Sequence, residues 1–96
     1  MDTRMADMLK VVAEELGLSE DDLLQRGLRS VLERQSREIG AEILDIRGRY
    51  GVVDVADMES RYRQGTLEEA HSWRDLQRLD HLEYRRDRLL ALLHSL

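Results

Sequence analysis

The sequence predicts an all-α fold of three to four helices, with a long second helix and a long C-terminal helix built on a leucine heptad, pairing as a hairpin or bundle. Three observations carry that expectation. No Pro interrupts the chain, and Leu, Glu and Arg, all good helix formers, dominate it. Apolar volume comes from 17 Leu residues with Ile, Val and Met, against one Trp, three Tyr and no Phe. The apolar positions recur at helical spacing between glycines and Ser, Thr or Asp caps. At 96 residues the chain is one domain, 1–96, whose small core leaves a thin margin of stability.

The first helix is expected from Asp2 or Thr3 to Leu16, with Met5, Met8, Leu9, Val12 and Leu16 on one stripe. Gly17 is placed to end it in the left-handed conformation, and Leu18 to fold back. Ser19 caps the second helix, and Glu20, Asp21 and Asp22 sit where the first-turn N–H groups attract negative charge. The stripe Leu24, Leu28, Val31, Leu32, Ile39, Ile43, Ile46, Tyr50 continues for about 30 residues, near 45 Å if unbroken. Either that helix breaks near Gly40 or the molecule is elongated. Gly48 and Gly51 are expected to end it. Val53, Asp54, Asp57 and Met58 resemble a staple and a capping box for a short helix that ends near Gln64 and buries Val55, Met58 and Tyr62. Thr66 and Glu69 then form a Thr-x-x-Glu box for the last helix, Leu67 nearly to Leu96, where Leu79, Leu82, Arg86, Leu89, Leu93 and Leu96 alternate as a and d positions.

Composition narrows the function. The absence of Cys removes disulfides, thiolate zinc sites and thiol nucleophiles. His71, His81 and His94 have no partner histidine at i+3 or i+4, so no metal site is expected. No cofactor-binding loop, nucleophile–base pair or catalytic residue can be named, and the protein is expected not to be an enzyme. No apolar run reaches the length of a membrane span, and Asp2 and Asp7 do not fit a signal peptide, so the cytoplasm is the expected compartment. A net charge of −5 favours a basic partner over a phosphate backbone. Ala13, Gly17, Leu18, Ser19 and Leu23 do have the spacing of a helix-turn-helix. However, three carboxylates would open its recognition helix, and Arg26 stands where an apolar residue belongs. DNA binding by the chain alone is therefore not expected.

Two binding regions are expected from the residues. A partner protein should meet the last helix over Trp73, Leu76, Leu82, Tyr84, Leu89 and Leu93, because Trp and Tyr are enriched among interface hot spots. The competing expectation packs Trp73 beneath the short helix, against Met58 and Tyr62. The long seam of the second helix and the leucine heptad can pair within one chain, but Leu90 and Leu92 make the stripe wider than that pairing needs. A homodimer is expected, with Ile39, Ile43, Ile46, Leu79 and Leu90 at its seam.

The segments LGLSEDDLLQRGLRSVLERQSREIGAEILDIRGRYGV and LEEAHSWRDLQRLDHLEYRRDRLLALL together resemble small prokaryotic helical antitoxin-like proteins, partners of a small toxin. The most distinctive matches are Trp73 with Glu68, Glu69 and His71, and the Tyr50-Gly51 helix terminus. The resemblance implies a protein that neutralises a small, basic toxin by direct helical contact, with no residue doing chemistry. A DNA-binding regulator and a structural dimerisation protein are the alternatives.

Overall fold

The computed structural model describes residues 2–96, and four helices account for most of them: α1 (Thr3–Leu16), α2 (Glu20–Tyr50), α3 (Val55–Gln64) and α4 (Glu69–His94). No strand occurs among the described residues. The junctions follow local chemistry. Asp2 caps α1 by accepting from Met5 N–H at 2.8 Å, and Ser19 caps α2 by accepting from Asp22 N–H at 3.0 Å. Gly17 adopts φ 69°. Its N–H reaches the Glu14 carbonyl while Leu18 N–H reaches that of Ala13, the paired bonds of a Schellman ending.

α2 runs 31 residues without a break at Gly40. Of the two expected alternatives the molecule takes the elongated one. Its radius of gyration is 19.8 Å and its extents are 61 × 21 × 18 Å, against about 12–13 Å for a compact globule of this length. The expected ending at Gly48 is corrected: the helix passes through Gly48, and Gly51, at φ 62°, ends it. A helical Gly costs about 1 kcal/mol, which the packing of α2 on α4 outweighs.

α4 returns antiparallel to α2. Arg29 Nη2 donates to the Leu96 carbonyl at 3.4 Å, Arg78 Nη2 to Glu42 Oε2 at 2.6 Å, and Arg49 Nη1 to Asp75 Oδ2 at 3.1 Å. α3 lies across the far end of this hairpin. The core sits there, made of Ile39, Ile43, Ile46, Val52, Met58, Leu79, Leu82 and Leu89.

The start of α3 has a reciprocal box. Asp54 Oδ1 accepts from Asp57 N–H at 2.8 Å while Asp57 Oδ2 accepts from Val53 N–H at 2.9 Å. The Thr66–Glu69 box does not form, and α4 begins at Glu69 rather than Leu67, behind an N-cap Glu68 with no side-chain cap bond. Thr66 is already engaged at the end of α3, where its N–H and Oγ1 both donate to the Arg61 carbonyl, at 3.0 and 3.3 Å. A residue that completes one helix's Schellman ending is turned away from capping the next.

Candidate interaction surface

The polar side chains shared by α2 and α4 act as clamps. Asp75 accepts from Tyr50 Oη and Arg49, and Arg49 also meets Asp45 at 3.2 Å. The Asp75 carboxylate holds the Tyr50 phenol above its ordinary value of 10.0, chiefly through that hydrogen bond and then through burial. Beside this cluster lies the Glu42–Arg78 pair, and each of these charges has an opposite partner. His71 reaches Glu68 at 3.3 Å in an exposed pair. Among the described residues no group of three or more His, Cys, Asp or Glu side chains could hold a metal ion, and no helix is long and apolar enough to cross a membrane.

The residues expected to contact a partner divide. Leu82 and Leu89 belong to the core, and Leu76 and Leu93 are half-buried, because α4 turns its heptad face toward α2 of the same chain. Trp73 and Tyr84 remain outside, 43% and 69% exposed. Eleven residues apart, they share a bearing within about 20° and lie about 16 Å apart along the axis. Exposed Glu69, Asp80 and Asp87 follow one flank of that line. Arg74 lies on the other, its guanidinium 6.0 Å from the Trp73 ring centre.

The place beneath α3 that the competing expectation gave to Trp73 is filled by its neighbour. Ser72 is 1% exposed, paired with Tyr62 Oη at 2.6 Å and donating to the Glu68 carbonyl at 2.8 Å. Sequence reasoning gave Ser72 no role, although the leucine heptad carried back one repeat from Leu79 lands on it.

The seam residues expected between two copies also move. Ile39, Ile43, Ile46 and Leu79 are buried in the chain's own core, and of the five only Leu90 is exposed, at 48%. The reason is the register of the hairpin: Ile39, Ile43 and Ile46 face α4 along the stretch where both helices are present and α3 closes the end.

At the opposite end the apolar stripe is uncovered. α4 ends level with Arg29, so the first turns of α2 extend past it with only α1 alongside. Leu24, Leu28 and Val31 are 39%, 54% and 59% exposed, and Leu92 on α4 is 42% exposed. Leu28, Val31, Leu32, Leu92, Ser95 and Leu96 line a groove that is almost wholly apolar. α1 covers little of this end: Ala13 is buried on it, whereas Met5, Met8, Val11 and Leu16 are each more than half exposed.

No curated protein and no solved structure matches the chain. A family model does match, across residues 1–96, and its description is the Uncharacterized protein MJ0235 family. The chain belongs to that family.

Proposed function

We propose that this MJ0235-family protein is a non-catalytic binding module of the cytoplasm that holds another protein on α4 and a second copy of itself. The observation that carries the first part is the exposed Trp73–Tyr84 line on α4. A Trp left half open on a rigid helix brings large contact area at little cost in conformational entropy, the usual makeup of an interface anchor. The acidic flank of Glu69, Asp80 and Asp87, with the net charge of −5, favours a basic partner. Neutralisation of a small basic toxin, which the antitoxin resemblance implies, is the specific form of this reading.

The test compares tagged wild-type protein with the Trp73→Ala/Tyr84→Ala variant as baits in extracts of the source cells, read by quantitative mass spectrometry. A basic protein enriched by the wild type and lost from the variant supports the reading. Its toxic effect on expression, relieved by co-expression of this chain, would establish the antitoxin form. Equal recovery by both baits removes α4 as the contact. A labelled DNA duplex titrated at physiological salt addresses the regulator alternative, and nanomolar, sequence-selective binding would replace the present reading.

A further inference from the structure

We infer that a second copy of this chain seats on the open end of the hairpin, over Leu24, Leu28 and Val31 of α2 and Leu92 of α4. The inference rests on the self-association in the proposed function and assigns it a surface. That surface lies apart from the Trp73–Tyr84 line and differs from the seam the heptad alone suggests.

Area is the first argument. The chain exposes 7176 Å², against about 5,700 Å² for a compact monomer of its mass. The excess of about 1,400 Å² is well above the roughly 800 Å² that each partner contributes to a standard interface. An elongated hairpin exposes more surface than a sphere in any case. Here, though, the surface at and just past the end of α4 carries large apolar side chains, which a hairpin that functions alone would replace with polar ones.

Charge selects the occupant. From Leu23 to Gln35, the sector of α2 spanning about 120° around Leu28 holds Leu24, Gln25, Leu28, Val31, Leu32 and Gln35, with no charge among them, and Asp21 in the first turn is the charge that shares this bearing. Arg26, Arg29, Glu33 and Arg34 all lie outside it, and Arg29 and Glu33 pair with each other at 3.9 Å. A basic partner would gain nothing from an uncharged face, whereas a copy that itself carries −5 is repelled least there. The chain also supplies both halves of the contact. Its α2 overhang is only partly covered by α1, and the end of its α4 presents Leu92 with nothing over it. A two-fold pairing lays each copy's α4 end on the other's overhang, a closed and self-complementary arrangement.

The test is sedimentation equilibrium of the full chain from about 1 to 100 μM, with circular dichroism on the same samples. The wild type should sediment at twice its 11.3 kDa mass. Leu28→Glu/Val31→Glu should weaken association at least about thirtyfold, the loss typical of one hot-spot side chain, with helix content unchanged. Trp73→Ala/Tyr84→Ala should leave the dimer intact. If the double Glu variant fails to fold, a mixture of Leu28→Cys chains and Leu92→Cys chains, allowed to exchange, serves in its place, because each copy's α4 end lies on the other's overhang. The native chain has no Cys, so mild oxidation should link two copies with the wild-type dissociation profile preserved. A wild-type monomer at 100 μM overturns the proposal together with the self-association it rests on, while leaving the α4 contact standing. A dimer that survives the double Glu change, or in which Leu28→Cys and Leu92→Cys chains cannot be linked, overturns the surface assignment alone.

Discussion

The two ends of α2 carry the same apolar spacing and meet opposite fates. Leu24, Leu28 and Val31 step by four and three, as do Ile39, Ile43 and Ile46. The first set is 39–59% exposed and the second 1–6% exposed. Fifteen residues separate the two sets, which turns one against the other by about 60° around the helix. The C-terminal set meets α4 and is sealed by α3. The N-terminal set is rotated off the α4 side, and its first turns have no α4 beside them. Apolar periodicity states which face wants cover and is silent on whether the chain itself provides it. The closed end is where the monomer's stability is concentrated, and the open end is where a second molecule can add to it.

The contrast is most sharply tested by trimming one side chain at each end. Ile43→Ala, in the closed end, should cost about 2–5 kcal/mol of unfolding free energy. Leu28→Ala should cost less than about 1 kcal/mol at concentrations where the chain is monomeric, since most of its surface is already in water. Urea unfolding measured at low and high protein concentration separates the two, and equal losses at low concentration would show that the open end is closed in solution.

A smaller effect is expected at the seal of the closed end. Ser72→Ala leaves the Tyr62 hydroxyl without its 2.6 Å partner and should cost about 1–2 kcal/mol. Tyr62→Phe/Ser72→Ala should recover part of that loss, and a double-mutant cycle with no coupling would argue against the pair. Gly40→Ala has the opposite sign. A Cβ there meets nothing within 4 Å, so replacing Gly in the middle of the helix should raise stability by up to about 1 kcal/mol. A loss would mean that α2 is interrupted at Gly40 in solution.

The smallest expected effect is a pH dependence. Because Asp75 raises the Tyr50 phenol above 10.0, the folded chain holds that proton more tightly than the unfolded one. The stabilisation is complete below the unfolded value near 10 and is lost as pH climbs through the folded value. Melting temperature should therefore fall more steeply above pH 10 in the wild type than in Tyr50→Phe, and parallel profiles would contradict the Tyr50–Asp75 contribution.

Local elements were largely legible in the residues. Ser19 with its acidic first turn, Gly17 as a left-handed ending, and the span of α3 each follow from backbone groups that need a partner within a few positions. Thr66 misled because two helices compete for it, and its N–H and Oγ1 both go to the Arg61 carbonyl that the end of α3 leaves open. Trp73 could not be placed from spacing, since it lies one residue from Ser72 and the choice between them depends on which bearing α4 presents to α3. Of the expected contact residues, Trp73 and Tyr84 stay outside while Leu82 and Leu89 go into the core, a division fixed by the rotation of α4 against α2.

The sequence by itself determined that the chain is helical, where α1, α2 and α3 begin, and that α2 and α4 each carry an apolar stripe, because all of these depend on interactions within a turn or two of helix. Only the tertiary structure decided that α2 stays helical through Gly40, that Ile39, Ile43, Ile46 and Leu79 close a core within one chain, and that Leu24, Leu28 and Val31 are left in the open. Those outcomes depend on the register of α4 against α2 and on where α3 lies across their end. That register is marked by pairs such as Arg29 with Leu96 and Arg49 with Asp75, 67 and 26 residues apart, beyond the reach of any local pattern.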